Sequence, residues 1–356
     1  MKALFKAALL AVAGMMLAAG GAQAQKPLLI AEQGSFAAGG TVLQQPGEWD
    51  YEKPLAGGQT LHGDHAYVFY QKPVKAHKYP LVFLHGAGQS ARTWETTPDG
   101  REGFQNIFLR KGYSVYLADQ PRRGRAGNST VDGDGRAAPM DQLWYSNFRI
   151  GNYPDYFDGV QFPRDAASRE QFFRQMTPNT GAFDENVVSD ALAAVFDKIG
   201  DGVLVTHSQG GGPGWLTAIK NSRVKGVAAF EPGGGFIFPA GEVPEPMETS
   251  SPFGALRGVP VPLEQFELLT RIPIVIYYGD NIPQERTEEW NKDNWRVRLA
   301  MARLWVEAVN RHGGRAELVH LPEIGIYGNT HFPFADLNNQ QIAGLLDAWL
   351  HKNKLI

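Results

Sequence analysis

Gly202-Val-Leu-Val-Thr-His-Ser208-Gln-Gly-Gly-Gly-Pro-Gly-Trp215 carries the reading of the fold. Its first residues are a β-branched, nearly unbroken apolar run, as expected of a strand buried on both faces of a parallel sheet. The glycines after Ser208 open a short helix. A serine between such a strand and such a helix is lifted out of the sheet and pointed at solvent, the nucleophile-elbow arrangement. Thr206 stands where G-x-S-x-G has its first glycine, and Gly210 keeps the last. The competing reading of Ser208 is a helix N-cap.

The same strand pattern recurs at Pro80–Leu84, Tyr113–Leu117, Val224–Phe230, Ile272–Tyr277 and Ala316–His320. Helical spacing fills the intervals. Asp184 to Ile199 sets Val187, Val188, Ala191, Leu192, Val195 and Phe196 on one stripe and stops at Gly200, and residues 293–312 and 338–352 carry similar stripes. Strand–helix alternation of this kind predicts one α/β domain with a mostly parallel, doubly wound sheet. Residues 26–73 read as an antiparallel lead-in hairpin. Residues 121–183 break the rhythm, yet ten aromatics fall between Trp144 and Phe183. They read either as a satellite core under a loop or as an aromatic cap over a pocket, walled by Trp144, Tyr145, Phe148, Tyr153, Tyr156 and Phe157; both can hold at once.

Composition narrows the chemistry. The 356 residues are 43% hydrophobic and 20% charged, enough to bury a core and too weakly charged for a disordered chain. A formal net charge of −3 argues against nucleic acid as a partner. The absence of cysteine excludes disulfides, thiolate metal sites and a cysteine nucleophile. Residues 1–24 begin with Lys2 and Lys6, continue with an apolar run from Ala7 to Ala19, and end Ala22-Gln23-Ala24. That order predicts a cleavable secretory signal cut after Ala24, with residues 25–356 exported as a single domain to the periplasm or exterior. No other stretch approaches the roughly 18 apolar residues of a membrane span.

Two further strand ends complete a site. Phe83-Leu-His85-Gly-Ala87-Gly88 closes an early strand. Its loop is placed to offer the Ala87 N–H to an oxyanion, with Gln209, the residue after the serine, offering a second. His85 and His207 read as structural hydrogen-bonders. After the last strand, Gly328-Asn-Thr-His331 puts an imidazole in a turn-rich loop ahead of the closing helix. A neutral serine is a weak nucleophile, so a histidine has to take its proton and a carboxylate has to hold that histidine's tautomer. Two carboxylates fit equally: Glu231, ending Val227-Ala-Ala-Phe230, and Asp280, after Ile274-Val-Ile-Tyr-Tyr-Gly279. His62, Asp64 and His65 do not make a metal motif, and no cofactor is expected. Arg122, Arg123 and Arg125 leave two readings, a solvated basic loop and a contact for an anionic end of the substrate.

Several blocks together resemble a small family of exported bacterial α/β-hydrolase esterases: Thr93-Trp-Glu-Thr-Thr-Pro-Asp-Gly-Arg101, Phe108-Leu-Arg-Lys-Gly-Tyr-Ser114, Asp119-Gln-x-x-x-Gly-Arg125, His207-Ser-Gln209, Glu231-Pro-Gly233 and Gly328-Asn-x-His331. The likeness runs from about Leu81 to Trp349. It implies an α/β-hydrolase fold with Ser208 as nucleophile, Glu231 as acid and His331 as base, and an oxyanion hole at Ala87 and Gln209. A member of that family carries cysteines after the His-Gly of the oxyanion loop, where this chain has Ala87 and Gly88. The resulting expectation is a serine hydrolase that cleaves small-molecule carboxylic esters through an acyl-enzyme. An amidase or lactonase with the same triad, and a non-catalytic binding protein on this fold, are the alternatives.

Overall fold

The computed structural model describes residues 26–133 and 137–356. The signal segment expected at residues 1–24 lies outside the described residues. In chain order the strands are β1 (Ile30–Ala38), β2 (Thr41–Gln44), β3 (Thr60–Gly63), β4 (Ala66–Pro73), β5 (Leu81–Leu84), β6 (Val115–Asp119), β7 (Gly202–His207), β8 (Val224–Phe230), β9 (Ile237–Pro239), β10 (Val259–Val261), β11 (Pro273–Tyr278) and β12 (Arg315–His320). The α-helices are α1 (Phe104–Arg110), α2 (Asp141–Asn147), α3 (Ala166–Phe173), α4 (Glu185–Ile199), α5 (Gly211–Lys220), α6 (Leu263–Leu269), α7 (Trp290–Arg311) and α8 (Asn339–Lys352).

Eight strands form one sheet in the order β1-β4-β6-β5-β7-β8-β11-β12. The pairings of β1 with β4 and of β4 with β6 are antiparallel, and all later ones are parallel. Central β5 pairs Leu81–Leu84 with Val115–Ala118 on one side and with Val203–Thr206 on the other. This is the α/β-hydrolase fold expected from the sequence.

The strands are apolar throughout because alternate residues serve two cores. Val82, Leu84, Leu204, Val227, Ala229, Ile274 and Ile276 pack beneath α4, α5 and α7. Leu81, Phe83, Val203, Val205, Ala228, Phe230, Val275 and Tyr277 pack beneath α1 and α8. Helix α8 buries Ile342, Ala343, Leu346, Trp349 and Leu350, a stripe of helical period. Each fully buried large apolar side chain contributes about 1.5–3 kcal/mol.

Between residues 121 and 183 the chain builds two short helices that periodicity did not reveal. In α3, Ala-Ala-Ser-Arg-Glu-Gln-Phe-Phe, no apolar stripe forms, and the helix starts because the Asp165 carboxylate accepts the Ser168 N–H. The lead-in is more than a single hairpin: β1 joins the main sheet through β4, while β2 and β3 pair only with each other. The ends of β5, β7, β8 and β11 open on one rim of the sheet, where such folds place their ligands.

Candidate active site

Ser208 follows β7 at φ 53°, a left-handed backbone rarely taken by a residue with a side chain. Such strain, of order 1–3 kcal/mol, persists only where the surroundings enforce it. Here they do. A side chain at Gly86 would place its Cβ 2.6 Å from Ser208 Cβ, so the loop after β5 closes against the serine only as glycine. A Cβ at Gly214 would lie 2.8 Å from Thr206 Cγ2. The clearance that G-x-S-x-G takes on the strand is thus taken on the helix, which explains why threonine is tolerated at 206.

Glu231 follows β8 at φ 53° and is fully buried. Its Oε2 lies 3.0 Å from His331 Nδ1. Its Oε1 accepts from Arg149 Nη2 at 2.6 Å and from the Gly279 N–H at 2.5 Å. With the carboxylate so engaged, the proton between Glu231 and His331 sits on Nδ1, and Nε2 keeps its lone pair. Among the described residues the buried Nε2 has no hydrogen-bond partner, Ser208 Oγ included. Burial, with the Arg149 and Arg298 cations, holds the His331 imidazole well below its ordinary value, so it is neutral.

The ring is locked on several sides. It stacks on Phe148 at 4.9 Å between centroids, and Trp295 packs against it at 4.1 Å. The His331 N–H donates to the Phe148 carbonyl, and its carbonyl accepts from His207 Nε2 at 2.9 Å. Asp336 ties the preceding turn by accepting from the Thr330 N–H and Oγ1 and from Asn329 Nδ2. Burial pushes the Asp336 carboxyl up to about 7.

Among the described residues Asp280 has no hydrogen bond or ion pair to His331. Its Oδ1 accepts the Asn281 N–H and its Oδ2 the Gly328 N–H, so it anchors the base of the histidine loop. The two carboxylates that were equivalent along the chain are distinct in space.

Ala87 and Gln209 both line the cavity that contains Ser208. Gln209 stands in the first turn after the strand, where backbone N–H groups have no acceptor within the helix. The loop is braced by Arg123, which is 2% exposed and donates from Nη1 to the Gly86 carbonyl at 2.8 Å. His85 accepts the Gln120 N–H at Nε2 and donates from Nδ1 to the same carbonyl, and burial holds its pKa at about 4. The arginine cluster is not a uniformly solvated loop: Arg122 and Arg123 are buried and Arg125 is exposed. Arg122 is paired with Asp64 at 2.7 Å, Arg123 is buried, and Arg125 is paired with Asp119 at 2.9 Å. Asp64 reaches Arg122 from 58 residues away and Asp119 reaches Arg125 from six, so Arg122 and Arg123 act as internal clamps while Arg125 stays at the surface. Asp64 is thereby also committed, and among the described residues no cluster could hold a metal ion.

The cavity over Ser208 has a volume of about 340 Å³. Trp144 and Phe148, one helical turn apart, line it as expected. Tyr145, Tyr153, Tyr156 and Phe157 do not. Tyr145 faces the opposite way, fully buried against Tyr153, Tyr156 and Phe173, and Phe157 lies under Lys292. Beyond Asn147, Gly233, Gly234 and Gly235, the wall includes Asn294, Trp295 and Arg298 of α7, with Phe253 and Glu185. Sequence reasoning missed these and Arg149. The one available signal was the polar Asn291, Asp293 and Asn294 on the inward side of the α7 stripe, all buried here.

Residues 81–343 match the model of the alpha/beta hydrolase family. A solved bacterial esterase, described as novel, superposes with a TM-score of 0.74 at 30% identity, covering 92% of this chain and 98% of its own. A probable secreted lipase, phiG, from a fungus (strain ATCC 74256) is 26% identical over 310 residues, 77% of this chain and 82% of the lipase.

Proposed function

Because the chain belongs to the alpha/beta hydrolase family, we propose that it is a serine esterase that cleaves small carboxylic esters through an acyl-enzyme. One observation carries this reading: a buried, charge-stabilised carboxylate, Glu231, holds His331 at Nδ1 and leaves Nε2 bare beside the serine elbow. In the proposed reaction Ser208 Oγ attacks the acyl carbon while Nε2 takes its proton. The Ala87 and Gln209 N–H groups hold the oxyanion, and Glu231 stabilises the imidazolium. The imidazolium then protonates the departing alcohol. Water, activated by the same nitrogen, releases the acid. The esterase and lipase relatives support the bond class.

The same reading makes residues 1–24 a leader removed after Ala24, residues 25–356 one exported domain, and segment 121–183 a cap that contributes Trp144 and Phe148 to the cavity. The secreted fungal relative supports export. Among the described residues no helix is long and apolar enough to cross a membrane.

Matched 4-nitrophenyl ester, anilide and lactone substrates test the bond class, with the ester turned over fastest. A preference for the anilide or the lactone would move the assignment to an amidase or a lactonase. The pH profile tests the base. His331 works when neutral, and its environment keeps it neutral below the usual 6.5. On the ester, kcat/KM therefore stays level as pH falls through 6.5 and declines only in more acid solution. An acid limb centred at or above 6.5 would contradict the assigned base.

A further inference from the structure

One cavity wall holds a charge that the proposed reaction does not use. Glu185, in the first turn of α4, lines the cavity together with Ser208, Gly212 and Gly235 lying against its carboxylate. A Cβ on either glycine would come within 2.4 and 2.7 Å of Glu185 Oε1, so both positions leave room for that oxygen. The side chain is half-buried, and among the described residues its carboxylate has neither a hydrogen-bond donor nor a cation. Burial, with Asp184 beside it, raises its pKa. The first turn of a helix favours a carboxylate, but that does not account for one aimed into a cavity with no partner.

The cavity's other charged group is in the opposite condition. Arg298 donates to the Gly233 carbonyl at 2.8 Å and to the Asn294 carbonyl and Oδ1 at 2.5 and 2.6 Å, and it lies over Trp295. It forms no ion pair with Glu185; its donors are met by these neutral oxygens, whereas the Glu185 carboxylate has no polar partner among the described residues, so the unmet demand in the cavity is for a cation. A partly desolvated carboxylate is costly alone and favourable when paired. We propose that Glu185 is a specificity-determining residue that selects esters carrying an ammonium group on the acyl or alcohol side. This rests on the esterase reading above.

The test compares kcat/KM for two shape-matched pairs that differ in charge: 4-nitrophenyl 6-aminohexanoate against 4-nitrophenyl heptanoate, and acetylthiocholine against 3,3-dimethylbutyl thioacetate. The wild type favours the ammonium member of at least one pair by about tenfold or more, and Glu185→Gln or Glu185→Ala removes that preference. Protection of Ser208 from a fluorophosphonate probe supplies a second measurement on the unaltered protein, with hexylammonium effective at about tenfold lower concentration than hexan-1-ol. Turnover of the neutral esters with no charge preference, or a preference that survives both substitutions, overturns the proposal and leaves the esterase reading standing. Failure to hydrolyse any of the four, with no labelling of Ser208, overturns both.

Discussion

Replacing Ser208 with alanine lowers kcat on a small aryl ester by about 10⁵- to 10⁶-fold, the scale on which a serine triad fails without its nucleophile. That is about 7–8 kcal/mol of transition-state stabilisation. The loss is chemical rather than structural. Ser208 Oγ takes part in none of the hydrogen bonds among the described residues, so removing it strands no partner. Alanine occupies the same backbone at φ 53° with the same Cβ, keeping the fit against Gly86. Thermal unfolding of Ser208→Ala therefore stays within a few degrees of the wild type. The Ala87 and Gln209 N–H groups remain, leaving a residual rate above that in water. Turnover equal to the wild type would remove Ser208 from the reaction.

Glu231→Gln lowers kcat by about 10⁴-fold, and the hydrogen bonds around the carboxylate say why. Two donors, Arg149 Nη2 and the Gly279 N–H, converge on Oε1. A glutamine must present its carbonyl oxygen to them, which turns its amide NH₂ toward His331 Nδ1. Nδ1 then has to accept, the proton moves to Nε2, and the base is lost. Asp280→Asn is the control. Its oxygens serve the Asn281 and Gly328 N–H groups, so the change loosens the histidine loop and costs less than about tenfold in kcat. Steady-state kinetics of the two variants separates the roles, and a larger loss at Asp280 would reverse them.

What was legible in the chain follows from where each signal resides. Val224–Phe230 is a strand in sequence and in space with the same bounds, because burial on both faces leaves an apolar run broken only by the half-buried Lys225. Ser208 and His331 could be proposed from sequence because a strand-to-helix turn and a post-strand loop are local features. Arg149 could not. Its meaning comes from Glu231, 82 residues further along, and nothing within its own loop signals that partnership. Trp295 and Arg298 were hidden for a related reason: an amphipathic stripe says that a face is buried, not that its N-terminal half borders a cavity. Arg122 misled because charge in a loop reads as solvated until Asp64 arrives from 58 residues away. Of the aromatic segment, the wealth of rings was readable, but only packing decided that Trp144 and Phe148 face the serine while Tyr145 faces away.

The most direct test of the central claim is covalent. Intact-mass and peptide analysis after exposure to a fluorophosphonate should find one adduct, on the peptide containing Ser208, and reaction should slow by orders of magnitude in His331→Ala. An unlabelled protein, or an adduct on a different residue, would contradict the assignment of Ser208 as the nucleophile that His331 and Glu231 activate.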